Sequence, residues 1–179
     1  MTLSAFDITG DEFFLYPVDV ETLHMLAGML PPGAVVVNIG ACWGASAIAM
    51  LEVRPDLFIF SCDVKPWTDD EHEWGNLKKA GLWDLHRCIR VLGRSQDAGL
   101  YWPGQVDMVF VDGGHGLEAC TNDAVRWKPH IKPGGIIAFH DYGHPVCSEV
   151  KPAVDKVMAG QVPFMHRDML VAFEVGGAK

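Results

Sequence analysis

Five short runs of apolar residues recur along this 179-residue chain, and polar residues or glycine turns follow them. Runs of this length, bounded by turn residues, are typical of strands that are buried on both faces. Because segments with helical spacing lie between several of the runs, the chain is predicted to form a parallel sheet covered by helices on both faces. The predicted strands cover residues 35–39, 57–62, 88–92, 106–111 and 136–139.

The remaining periodic segments predict helices and a C-terminal pair of strands. Helical spacing covers residues 18–30, 45–53, 118–128 and 150–158, and a broken helical stretch covers 68–85. Two strands are predicted within 162–175, the second over 169–175. The length fits one domain over residues 1–179, with a helical lead-in over 1–33.

Charge, cysteine content and the N-terminal sequence exclude several classes of protein. Lysine and arginine total 14 against 23 acidic residues, which gives a formal charge of -9 and disfavours nucleic-acid binding. A neutral or cationic small molecule is the expected partner. The five cysteines contain no CxxC pair, so reduced thiols are expected. Because the first ten residues do not resemble a secretory signal, a cytoplasmic protein without membrane contact is expected, and a homo-oligomer is left open.

A glycine turn and an acidic residue predict a nucleoside site. The turn Asn38–Gly44 follows the first strand and would bring the backbone close to a ligand. It has neither GxGxxG spacing nor the GK[ST] of a phosphate loop. Asp63 ends the next strand, where a carboxylate can accept hydrogen bonds from both ribose hydroxyls. The alternative interpretation is that the turn is only a tight connection between a strand and a helix.

A second group of polar residues follows the fourth and fifth strands. Asp112, His115, His140 and Asp141 are candidate catalytic residues, because they would meet at the carboxyl edge of the sheet. Asp112, His140 and Asp141 could bind one divalent ion that activates a substrate hydroxyl. In the alternative interpretation, His140 is a general base or only a hydrogen-bonding residue, and Asp141 caps the following turn.

Over roughly residues 35–141, the sequence resembles class I S-adenosylmethionine-dependent methyltransferases. The segments that carry the resemblance are VVVNIGACWGAS, FSCDV, GRSQD, DMVFVDGGH and KPGGIIAFHDY. Within the superfamily, the DGxH and HDY motifs resemble cephalosporin-hydroxylase-like proteins and sugar or macrolide O-methyltransferases. The resemblance implies an α/β, Rossmann-like doubly wound sheet that is mostly parallel, with an antiparallel C-terminal strand.

The resemblance also implies a cofactor, S-adenosylmethionine, and a role for individual residues. Gly40 and the backbone at Ala41 would contact the amino-acid end of the cofactor, and Ser46 its carboxylate. Asp63 would bind the ribose, and Asp112 would lie near the amino group and the reacting centre. The full set of implied cofactor-binding residues is Asn38, Gly40, Ala41, Trp43, Gly44, Ser46, Asp63, Val64, Ser95, Gln96 and Asp112, of which Ser95 and Gln96 would lie beside the adenine.

Two residues depart from the pattern of these relatives. Asn38 stands where the family usually has an acid, and restoring an acid there is expected to be tolerated and to tighten cofactor binding. His140 stands where relatives that bind magnesium have a carboxylate, which would favour manganese or another transition ion over magnesium. The predicted function is O-methylation of a small molecule. The alternatives are a cofactor-binding protein without transferase activity and a metal-dependent hydrolase.

Overall fold

The computed structural model describes residues 2–10, 15–66, 69 and 71–176. These residues form a seven-stranded sheet with the order β3-β2-β1-β4-β5-β7-β6. Neighbouring strands are parallel from β3 to β5, whereas β7 runs antiparallel to both β5 and β6. The predicted α/β sheet with an antiparallel C-terminal strand is therefore confirmed. The strands are β1 Val35–Ile39, β2 Phe58–Asp63, β3 Cys88–Leu92, β4 Val106–Val111, β5 Ile131–Phe139, β6 Met165–Arg167 and β7 Leu170–Val175.

Six α-helices in the described residues surround this sheet. Their bounds are α1 Pro17–Met29, α2 Ala45–Val53, α3 Glu73–Lys79, α4 Ser95–Leu100, α5 Leu117–Trp127 and α6 Val150–Val157. Short 3-10 helices cover Ala5–Ile8, Trp83–Leu85 and Lys128–His130. Among the residues that the structure describes, no helix has the length and apolar character needed to cross a membrane.

Two buried layers of apolar side chains hold the helices on the sheet. Successive residues of a strand point to opposite faces, so Val36 and Met108 pack with α1 and α2, whereas Val37 and Val109 pack with α5 and α6. This explains why the central strands read as continuous apolar runs, since every residue of β4 is buried. Helices on both faces are thus a direct consequence of the strand composition.

The structure differs from the sequence prediction at three elements. Helix α4 was not predicted, because it spans six residues and contains Gly99. Strand β5 begins at Ile131 rather than Ile136, and its pairing with β4 shifts register after Val106, so the Pro-Gly-Gly segment lies within the strand. Part of the predicted helical stretch 68–85 lies outside the described residues, and the described part forms α3 and the 3-10 helix Trp83–Leu85.

Candidate functional site

A cavity of about 940 Å³ opens at the carboxyl ends of the parallel strands. This volume lies within the range of small-molecule and cofactor sites. Three of the predicted site residues, Asn38, Gly44 and His140, do not line the cavity. The predicted residues that do line it are Gly40, Ala41, Trp43, Ser46, Asp63, Val64, Ser95, Gln96, Asp112, His115 and Asp141.

The glycine turn is shaped by the close approach of β1 and β4. Gly40 has a φ of 93°, and a Cβ atom placed there would lie 2.0 Å from the carbonyl oxygen of Asp112. Asp112 N–H donates to the Ile39 carbonyl at 2.9 Å, and Gly40 N–H donates to the Cys62 carbonyl at 2.9 Å. Only glycine therefore fits at position 40, and the turn passes directly beside the start of the acidic cluster.

Asp63 lies on the cavity wall and fixes the backbone around it. Its Oδ2 accepts from Ala41 N–H at 2.8 Å, and its Oδ1 accepts from Lys65 N–H at 3.0 Å. Cys42 N–H is a third donor, 3.4 Å from Oδ2, and a carboxylate has about four acceptor positions, so capacity for a ligand remains. The predicted contact of Asp63 with a ribose remains a prediction, and the structure adds a second role, which is to hold the glycine turn.

A buried polar network lies behind the turn. Asn38 is fully buried; its Nδ2 donates to Ser61 Oγ at 3.1 Å, and its Oδ1 accepts from Ser46 Oγ at 3.1 Å. Ser61 Oγ in turn donates to Glu73 Oε1 at 2.5 Å, and Arg90 Nη2 pairs with Glu73 Oε2. The amide of Asn38 thus connects the turn to a buried carboxylate on α3, which the sequence did not predict.

Burial also shapes the electrostatics of this network. Desolvation raises the pKa of Glu73, and the neighbouring Arg90 guanidinium opposes that rise. Asn38 does not line the cavity, so its side chain affects the cavity only through Ser46 and the turn.

A buried acid accompanies the two residues that were predicted to lie beside the adenine. Ser95 Oγ and Gln96 Nε2 both donate to Asp123 Oδ1, the latter at 2.7 Å. Burial raises the pKa of Asp123 to about 6, although the Ser95 hydroxyl opposes the shift. Asp123 lies on α5 and lines the same cavity. The only feature of the sequence that marks Asp123 is its position on the buried face of α5.

The four candidate catalytic residues come together beside the cavity, and Asp112, His115 and Asp141 line it. His140 Nδ1 lies 3.2 Å from Asp112 Oδ1 and 3.6 Å from Asp141 Oδ1. His115 Nε2 lies 3.1 Å from Asp141 Oδ2, and the side chain of His115 is 45% exposed. Asp141 has a φ of 57°, a left-handed conformation that is uncommon outside glycine and typical of functional turns.

Burial and mutual attraction set the charges in this cluster. Desolvation by itself would lower the pKa of His140, but Asp112 and the other neighbouring carboxylates raise it well above its usual value. Burial raises the pKa of Asp112, whereas bonding to His140 holds the pKa of Asp141 below its usual range despite desolvation. The carboxylates around His140 thus favour the protonated form of its imidazole.

Asp19 is a further member of the cluster that the sequence did not reveal. It is fully buried on the first turn of α1, and its Oδ2 lies 3.1 Å from His140 Nε2. The same oxygen accepts from Tyr16 N–H at 2.9 Å, which explains why an acid is present at this helix start. A carboxylate behind an imidazole is also the arrangement that orients a histidine toward a metal ion.

Comparisons with known proteins agree on the class of this domain. The family model described as "Methyltransferase domain" matches residues 37–142. Among solved structures, cofactor-bound Rv0187 from MTB superposes with a TM-score of 0.72 at 18% identity, covering 97% of this chain and 87% of that one. The TDP-rhamnose 3'-O-methyltransferase CalS11 of calicheamicin biosynthesis gives 0.64 at 15% identity, covering 88% and 77%.

Two other matches extend this picture. A candidate rRNA methylase from Clostridium thermocellum superposes with a TM-score of 0.66 at 17% identity, covering 86% of this chain and 95% of that one. The uncharacterized protein R132 of Acanthamoeba polyphaga mimivirus is 34% identical over 58 residues, which is 32% of this chain and 26% of that protein. The match thus spans about a quarter of that relative, and the structural similarities show the fold.

Proposed function

The chain belongs to the methyltransferase-domain family that matches it over residues 37–142, and on that premise we propose that it transfers a methyl group from S-adenosylmethionine to an oxygen atom of a small molecule. One observation carries the proposal: the cavity wall with Asp63 continues directly into the cluster of Asp112, His115 and Asp141. A site for a nucleoside thus adjoins a site that can accept a proton. When bound, S-adenosylmethionine supplies a methyl group on a cationic sulfur.

The residues of the cavity suit this cofactor. Its walls carry the carboxylates of Asp63, Asp112, Asp123 and Asp141, which favour a ligand with sulfonium and ammonium charges. Gly40 lets the glycine turn pack against the backbone of Asp112, so the turn lines the cavity directly beside the acidic cluster. We infer that Asp63 binds the ribose, that Ser95, Gln96 and Asp123 lie at the adenine end, and that Asp112 lies at the methionine end.

His115 is the best placed proton acceptor of the cluster. Its ring lines the cavity, is 45% exposed and has Asp141 3.1 Å from Nε2, which orients the imidazole. His140 is buried, and both its ring nitrogens face carboxylates. We therefore assign removal of the acceptor's hydroxyl proton to His115 and electrostatic support of the site to His140.

The cluster of Asp112, His140 and Asp141 also suits a divalent ion. Asp112, Asp141 and Nδ1 of His140 form a compact group, and Asp19 would hold the opposite ring nitrogen, as carboxylates do behind metal-bound histidines. A mixed set of imidazole and carboxylate favours manganese or a related ion, which would lower the pKa of a hydroxyl bound to it.

Thermal denaturation after chelation and metal add-back tests this metal proposal. We expect Mn²⁺ to raise the melting temperature of the wild type in proportion to its concentration, and Asp112→Asn to remove the rise. Equal shifts in the two proteins would contradict the assignment of Asp112 as a ligand.

Formation of S-adenosylhomocysteine with different acceptors tests the proposed function. The protein is incubated with S-adenosylmethionine and a panel of phenols, catechols, sugar nucleotides and hydroxylated macrolides, with a structured RNA as a separate arm. We expect product with at least one small hydroxylated acceptor and none with RNA, because the formal charge of -9 opposes binding to phosphates. Turnover with RNA alone would contradict the acceptor class, and binding without any turnover would support a non-catalytic cofactor-binding protein.

A further inference from the structure

A second group of side chains that could hold a metal ion, formed by His115, Asp141 and Cys147, lies at the rim of the cavity. Cys147 Sγ lies 3.3 Å from Nδ1 of His115, and His115 Nε2 lies 3.1 Å from Oδ2 of Asp141. One ligand atom from each of these three side chains lies within 4.8 Å of the other two. Cys147 itself is half-buried, so the group is reached from solvent.

The loop before α6 holds Cys147 in this position. His144 Nδ1 accepts from the backbone N–H groups of Val146 and Cys147 at 3.2 and 3.3 Å. His144 N–H in turn donates to the Asp141 carbonyl at 3.1 Å. These bonds tie the cysteine to the same turn that presents the Asp141 carboxylate, so the two ligands are positioned by one piece of backbone.

We propose that His115, Asp141 and Cys147 form a binding site for a thiophilic divalent cation of the Zn²⁺ class. Thiolate, imidazole and carboxylate are the three protein ligands that zinc prefers, and three of them with one open position are typical of a zinc site that can also bind a small molecule. Ligands of a tetrahedral zinc ion lie roughly 3.3–3.7 Å apart. Cys147 and Asp141 face opposite ring nitrogens of His115, so the imidazole must turn until one nitrogen faces an ion that the other two ligands also reach, and one ligand atom from each side chain already lies within 4.8 Å of the other two.

This rim site is distinct from the group formed by Asp112, His140 and Asp141. Only Asp141 is common to both, and its two oxygens face different partners, with Oδ1 toward His140 and Oδ2 toward His115. The rim site contains sulfur and selects thiophilic ions, whereas the inner group contains none. If His115 accepts the substrate proton, as the proposed function holds, an ion at the rim would occupy that side chain and inhibit transfer.

Cys147, His115 and Asp141 also have the arrangement of thiol, imidazole and carboxylate found at catalytic cysteine nucleophiles. The charges around Cys147 oppose a role as a nucleophile. A thiolate at Cys147 would face the nearby carboxylates of Asp141 and Asp112, which disfavour a negative charge on the sulfur. A divalent cation removes this repulsion and stabilises the thiolate as a ligand.

Absorption spectroscopy with Co²⁺ tests the rim site directly. The metal-free, reduced 179-residue chain is titrated with Co²⁺, whose bond to a thiolate gives a charge-transfer band in the near ultraviolet. We expect the band in the wild type and in Cys42→Ser, a matched control that removes a half-buried thiol lining the same cavity. We expect no band in Cys147→Ser, and a retained band in Asp112→Asn, because that variant keeps all three ligands of the rim site.

The competing outcomes overturn the proposal. A wild type without the band, or a band that survives in Cys147→Ser, would show that this sulfur binds no metal. His115→Gln is the second variant, because its exposed side chain makes loss of folding unexpected; it should weaken Co²⁺ and Zn²⁺ binding at least about tenfold, and unchanged affinity would contradict the site. The band requires neither S-adenosylmethionine nor an acceptor, so this experiment can support or overturn the rim site even if the proposed function is wrong.

Discussion

Replacing Asn38 with aspartate tests whether the buried network behind the glycine turn tolerates a second negative charge. The side chain is fully inaccessible and already shares Ser61 with the buried carboxylate of Glu73. In the Asn38→Asp variant, an ionised carboxylate at position 38 would lose the Nδ2 donor to Ser61 and place a second negative charge near Glu73. A protonated carboxyl group there could still donate to Ser61, so the folded variant should hold this proton to higher pH than its unfolded chain does.

The size of the effect follows from this shift and depends on pH. The pKa of an aspartate in an unfolded chain is about 3.9, and each pH unit between that value and the folded-state pKa costs about 1.4 kcal/mol of stability. With a folded-state pKa at or above about 7, the loss is about 1.5 kcal/mol at about pH 5 and about 4 kcal/mol at about pH 7. The sign is fixed, because the folded state binds the extra proton and stability falls as pH rises.

Urea denaturation at several pH values provides the measurement, and Asn122→Asp provides the matched control. Asn122 is exposed on α5, so the same substitution there should change stability by no more than about 0.5 kcal/mol at any pH. The reasoning is refuted if Asn38→Asp is as stable as the wild type at neutral pH, or if its stability loss does not grow with pH. From sequence alone an acid at position 38 is expected to be tolerated and to tighten cofactor binding. The buried Glu73 leads us to predict a loss of stability in Asn38→Asp, and tighter cofactor binding stays a prediction.

Three further predictions concern the turn, the adenine end and the ribose contact. Gly40→Ala should lower the free energy of unfolding by at least about 3 kcal/mol or prevent folding, whereas Gly28→Ala, on α1 with no atom near its Cβ position, should be neutral or stabilising by up to about 1 kcal/mol. Similar denaturation midpoints for the two variants would contradict the close contact between Gly40 and Asp112. Because the folded-state pKa of Asp123 is raised to about 6, the contribution of this residue to stability should fall by at most about 3 kcal/mol as pH rises from about 4 to about 6. Urea titrations should therefore show the wild type losing stability relative to Asp123→Asn over this range, and a difference between the two proteins that does not change with pH would refute it. Calorimetry should show adenosine binding to the wild type at least about tenfold more tightly than 2',3'-dideoxyadenosine, and Asp63→Asn should lose most of this preference; a retained preference would remove Asp63 from the ribose.

The strands of this fold are readable from the sequence because their signal is local. Burial on both faces makes β4 apolar at almost every position, and one buried run of that kind identifies a central strand of a parallel sheet. Turn residues give a wrong prediction where tertiary contacts override their local preference. Pro133 and Gly134 read as the end of a helix and a connection, yet they lie inside β5 at a register shift.

The candidate site was predictable only where its residues follow strands. Asp63, Asp112 and His140 come at the ends of buried runs, so topology alone places them at one edge of the sheet. Asp19 and Glu73 lie on helices, where an acid is read as a solvent-facing or capping residue. Their contacts with His140 and Ser61 arise from helix packing and have no signature in the local sequence.

Calorimetric titration of the purified protein with S-adenosylhomocysteine tests the central claim, that this cavity is a cofactor site, without knowledge of the methyl acceptor. We predict saturable binding of one molecule per chain, competition by S-adenosylmethionine, and a rise in melting temperature that follows the ligand concentration. Absence of both heat and thermal stabilisation at ligand concentrations far above those at which methyltransferases work would contradict the account.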